Sequence, residues 1–103
     1  MTKPDDAAAY AQGPLPKLDF STFVLSVVGS AYVHLGDAPG PDGHPDLDLD
    51  LARQDVDLLG LLEEKTKGNL TGEEERLVQQ ALYDLRLRWL EVARAAGRPD
   101  AGV

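Results

Sequence analysis

The 103-residue sequence predicts an all-α fold of three helices, and three observations carry that expectation. The stretch from Leu70 to Ala96 has helical periodicity and a strong start signal. Two earlier apolar runs each begin on aspartates and stop at a glycine. The link between the second and third helices is so short that they must form an antiparallel hairpin, with the first helix packed against them.

The third helix is the clearest element. Thr71 followed by Glu74 is a capping box, and Glu73 and Glu75 add negative charge at the positive end of the helix dipole. Gly97 and Pro99 stop it. Its broad apolar side carries Leu77, Val78, Ala81, Leu82, Leu85, Trp89 and Val92. A narrow second side carries Tyr83, Leu87 and Leu90, spaced i, i+4, i+7. One apolar stripe is enough for a helix lying on a surface, so two stripes predict packing on both sides.

The first helix is expected from about Asp19 to Leu35, capped by Asp19 and closed by Gly36. Apolar residues occupy most of its circumference. Its polar residues Thr22, Ser26, Ser30 and His34 fall four apart and form one ridge, with Gly29 beside it. The hydroxyls can bond to carbonyls one turn earlier, so burial need not orphan them. Val24, Val27, Val28 and Val33 are mediocre helix formers, and a strand over part of this run is the alternative. Between this helix and the next, residues 36–46 read as a loop dense in Gly and Pro. Asp37, Asp42, His44 and Asp46 there match no calcium-loop or zinc spacing, so no metal site is expected.

The second helix starts at Asp46 or Asp48 and ends near Lys67, with acids at its amino end, Lys65 and Lys67 at the other, and Gly68 as the stop. Its inward face is expected to hold Leu51, Ala52, Leu58, Leu59 and Leu62. Val56 flanks one edge of that face, and Leu47 and Leu61 flank the other. Asp55 falls inside this arc, where a carboxylate needs a partner. Arg88 on the third helix is the candidate, and Arg88 is also in register to pair with Asp84. The helical domain is therefore expected over 18–96, with unstructured tails at 1–17 and 97–103.

Composition narrows the function. Net charge is −8, which argues against direct nucleic-acid binding and against an anionic membrane surface. The run 20–35 is shorter than the ~20 apolar residues a bilayer requires and is interrupted by polar residues. The chain has no cysteine, which fits a reducing cytoplasm. Ser30 and His34 are within reach of each other on one ridge, but no orienting acid or oxyanion donor accompanies them. No phosphate-binding glycine pattern is present. No catalytic residue and no cofactor is expected.

What remains is an apolar surplus. A domain this small is marginally stable alone, and leftover apolar surface marks interfaces. The leading expectation is a non-enzymatic interaction module that self-associates as a dimer, its contact surfaces being Tyr83, Leu87 and Leu90 together with Thr22, Ser26 and Ser30, flanked by Phe23 and Val27. In the competing arrangement the first helix covers the narrow stripe of the third and closes a monomer. A second expectation is an acidic regulator of a basic partner, such as a translation factor or nucleic-acid-binding protein. The segment 37–57 holds seven acids against Arg53 alone. A third is a small-molecule or enzyme site around Asp55 and His34.

The blocks FSTFVLSVVGSAYVHLGD and LARQDVDLLGLLEEKTKGNLTGEEERLVQQALYDLRLRW, above all the KTKGNLT turn and the YDLRLRW segment, resemble the domain-of-unknown-function family 1844 over roughly residues 18–91. The resemblance implies a small, largely helical bacterial protein. Some members are encoded beside translation genes, including that for initiation factor three. It implies no activity and no catalytic residue, and Asp55 is more polar than the residue it leads one to expect.

Overall fold

The computed structural model describes residues 17–101. The expected amino-terminal tail, apart from Lys17, lies outside the described residues, as do residues 102 and 103. Three helices follow one another: α1 at Phe20–His34, α2 at Leu49–Lys65 and α3 at Gly72–Ala95. Among the described residues there is no strand, so the helical reading of the valine-rich first run holds. α2 and α3 form the antiparallel hairpin, and α1 packs against both.

Each helix starts where a side chain can accept from its exposed first turn. Asp19 Oδ1 accepts from the Thr22 amide at 2.8 Å, and Asp48 Oδ1 accepts from the Leu51 amide at 3.0 Å. The capping box of α3 closes in both directions, Thr71 Oγ1 with the Glu74 amide at 3.1 Å and Glu74 Oε1 with the Thr71 amide at 2.8 Å. α1 and α3 end alike. Gly36 (φ +82) and Gly97 (φ +74) take left-handed conformations that let two successive amides return to the last turn. Asp37 and Gly36 donate to the carbonyls of Tyr32 and Val33; Arg98 and Gly97 donate to those of Ala93 and Arg94.

The core draws on all three helices. Val24, Val27, Ala31 and Leu35 meet Leu49, Ala52, Val56 and Leu59, and both groups meet Val78, Ala81, Leu82, Leu85, Trp89 and Ala93. The broad side of α3 is thus the one read from sequence, with Leu77 and Val92 packed at its margin. Trp89 fixes the hairpin: its indole N–H donates to the Leu49 carbonyl at 2.8 Å, and the guanidinium groups of Arg53 and Arg98 stack on its ring.

Two expectations are corrected. The inward face of α2 is rotated: it is Leu49, Ala52, Val56 and Leu59, whereas Leu51 and Leu58 remain 40% and 38% exposed. α2 has to serve two neighbours, α3 through Leu49 and α1 through Asp55, and the Leu51–Leu58 row lies beyond the contact with α1. The carboxyl end is not a free tail as far as residue 101. After Gly97 the chain turns back into a short 3-10 turn, Pro99–Ala101, that buries Ala101 completely. Arg98 bonds Asp50 at 3.1 Å and Asp100 at 2.7 Å and holds the turn against α2.

Candidate functional site

Five residues singled out from sequence, Ser30, His34, Asp55, Arg88 and Asp37, settle into two polar clusters. Asp55 does not pair with Arg88. Its Oδ2 lies 2.8 Å from His34 Nδ1 and accepts from Ser30 Oγ at 3.3 Å, in a half-buried seam between α1 and α2. Each four-residue step turns a helix by roughly 40° past a full circle. The ridge therefore winds from the outer surface at Thr22 and Ser26 round to α2 at Ser30 and His34. The serine hydroxyl donates to the carboxylate, not to the imidazole. The chemistry of this arrangement is a cross-helix polar clamp, in which one carboxylate oxygen satisfies two α1 side chains.

Arg88 instead crosses to the loop after α1. Its Nε and Nη2 donate to the two oxygens of Asp37 at 2.7 and 2.8 Å, and Nη1 reaches Glu91 at 3.2 Å. The expected pairing with Asp84 is absent; Asp84 accepts from Gln80 at 2.9 Å. The bidentate geometry decides between the two acids, since it gives two parallel charge-assisted bonds. Those bonds hold the Asp37 carboxyl below its ordinary value and raise the Arg88 guanidinium further. A carboxyl with a depressed folded-state pKa contributes stability that is present above the unfolded value, about 3.9, and is lost as pH falls through the folded value. The Asp37→Asn chain should accordingly be less stable than the parent in thermal melts at neutral pH, with the gap closing below about pH 4.

The acids of segment 37–57 are largely used inside the chain. Asp37 is on Arg88, Asp42 accepts from the His44 amide, Asp48 caps α2, Asp50 is on Arg98 and Asp55 is on His34. Asp46 and Asp57 have no side-chain partner among the described residues. Among those residues, too, no three His, Asp or Glu side chains are grouped as a metal site, and no helix is long and apolar enough to cross a membrane.

The expected contact residues divide. Val27 is only 7% exposed and belongs to the core, because it shares the inward face of α1 with Val24 and Ala31. Phe23, Thr22 and Ser26 lie toward the outside of α1, whereas Tyr83 and Leu87 lie on the outward face of α3, with Leu90 partly packed against the core. Tyr83 is 66% exposed, so α1 does not cover the narrow stripe. The set forms two surfaces, not one.

Each surface also contains residues that the sequence reading passed over. On α1 these are Leu25, 55% exposed, and the open position of Gly29, where a Cβ would meet nothing within 4 Å. All fifteen residues of α1 lack Lys, Arg, Asp and Glu. On α3 they are Arg76, Arg86 and Arg94. Arg76 and Arg94 continue the spacing of Tyr83, Leu87 and Leu90 along the same stripe, a signal that was available in the sequence. No curated protein and no solved structure matches the chain. The family described as Domain of unknown function (DUF1844) matches residues 17–91, most of the chain and all three helices but the last turn of α3, and the protein belongs to that family.

Proposed function

We propose that the protein is a non-enzymatic interaction module that self-associates, and that two copies meet through the outward face of α1. The observation that carries this reading is that an exposed helix face without a single ionised residue sits on a chain of net charge −8. Two such chains repel wherever their acids approach. An uncharged face is where they come together without stacking like charges. Phe23 and Leu25, two residues apart, supply exposed apolar area at the two margins of that face, and Gly29 between them leaves room for a second backbone. On α2, the exposed Leu51 and Leu58 stand one turn either side of Asp55, on the flank toward α1. The Ser30–His34–Asp55 clamp fixes α1 on α2, so the face is presented rigidly.

Ser26 is exposed, and among the described residues its hydroxyl bonds only back to the Phe23 carbonyl at 2.7 Å. In the Ser26→Glu chain each copy brings a carboxylate to the shared face. Its self-dissociation constant in sedimentation equilibrium should rise by about ten-fold or more, while Ser26→Ala stays close to the parent. Equal constants for the glutamate and alanine chains would remove α1 from the interface.

A further inference from the structure

The second surface has a different chemistry. Tyr83, Leu87 and Leu90 floor a shallow groove of about 440 Å³ on the outward side of α3, with Glu63 of α2 on its rim. Arg76 and Arg94 continue the stripe at its two ends, and Arg86 stands one turn from both Tyr83 and Leu90. The arginines of the described chain fall into two sets. Arg53, Arg88 and Arg98 are each bonded to a carboxylate. Arg76, Arg86 and Arg94 have no carboxylate partner among the described residues, and all three border the exposed stripe. In a chain with 18 acids and 10 bases, three guanidinium groups without a carboxylate partner among the described residues lie along or beside one apolar strip, with Glu63 on the groove's rim and Asp84 and Glu91 on the flank away from Arg86.

We infer that this face is a docking site for an acidic amphipathic helix of another protein. Leucine-like side chains would enter the groove beside Tyr83 and Leu87, and flanking carboxylates would meet the three arginines. A second copy of the chain fits poorly. Either pairing of two α3 helices sets arginine against arginine on the line of the stripe: Arg76 and Arg94 meet their twins when the helices are parallel and each other when they are antiparallel. A nucleic acid fits poorly as well, since the net charge repels a polyanion and the middle of the strip is apolar. Arg76 and Arg94 are eighteen residues apart, a span of about 27 Å along the helix. A partner helix of about 18 residues would cover it.

The test uses three fluorescently labelled peptides of about 18 residues with one leucine pattern at i, i+3, i+4, i+7. Their flanking positions carry glutamate, glutamine or lysine. Fluorescence anisotropy is read against the full chain in the Ser26→Glu background, so that self-association through α1 does not enter. The glutamate peptide should bind at least about ten-fold tighter than the lysine peptide, with affinity falling as salt rises. Leu87→Glu should abolish its binding, and Arg86→Glu should narrow or invert the order of the peptides, with helicity by circular dichroism unchanged in both variants. Equal binding of all three peptides, no binding of the glutamate peptide, or tighter binding of an oligothymidylate of similar length would overturn the inference. None of these outcomes bears on the α1 interface, because Leu87→Glu leaves that face intact and its self-dissociation constant should match the parent's.

Discussion

Replacing Trp89 with alanine should destabilise the protein more than any other single substitution. The side chain is 6% exposed and lies where α3, the start of α2 and the carboxyl-terminal turn converge. Its removal leaves a cavity of the kind that costs about 3–5 kcal/mol. It also deprives the Leu49 carbonyl of its indole donor, and Arg53 and Arg98 of the ring on which they stack. Domains of this size have only about 5–10 kcal/mol to lose. In urea titrations followed by circular dichroism, the Trp89→Ala chain should unfold at a much lower midpoint, with part of the population unfolded before denaturant is added. Trp89→Phe, which keeps a ring and loses the donor, should cost far less. A midpoint for Trp89→Ala within experimental error of the parent would mean that the hairpin is not joined at this residue.

The second large effect is expected two residues from a small one. Leu85 is fully buried in the core, while Leu87 is 48% exposed. Leu85→Ala should cost about 2–5 kcal/mol and Leu87→Ala well under 1 kcal/mol. Both substitutions delete the same atoms from the same helix, so propensity and unfolded-state effects nearly cancel. The contrast reads the orientation of α3 directly. If Leu87→Ala proved as costly as Leu85→Ala, something in the free chain would have to cover the outward stripe.

The reach of sequence reasoning here followed the range of the interactions. Helix ends rest on contacts within five residues, and Asp19, Asp48, Thr71, Gly36 and Gly97 all act where their local chemistry places them. The broad face of α3 was legible because one long, strongly periodic helix has one dominant apolar side. α2 was misread by a rotation, because leucines surround much of it and only its two neighbours decide which row is buried. The same limit misassigned the partner of Asp55. Periodicity gives the azimuth of a residue on its own helix, but not which flank of a helix meets which neighbour, so Arg88 stood as the candidate where the fold brings His34. The clamp of Arg98 on Asp50 and Asp100 was out of reach, since it depends on the chain reversing at Gly97 and spans 48 residues to Asp50. The arginine border of the α3 groove was readable from spacing alone. Arg76 lies seven residues before Tyr83 and Arg94 four after Leu90, so both keep the helical spacing of the apolar stripe.

Membership of the DUF1844 family brings no activity with it, so function has to be argued from surfaces, and the account stands on one of them. An uncharged, exposed α1 face on a strongly acidic chain is proposed to meet its own copy. Static light scattering of the unmodified 103-residue chain at micromolar concentration and moderate salt measures this most directly. The account predicts a mass of two chains, falling to one chain on dilution or with Ser26→Glu. A mass of one chain at every concentration reached would contradict it.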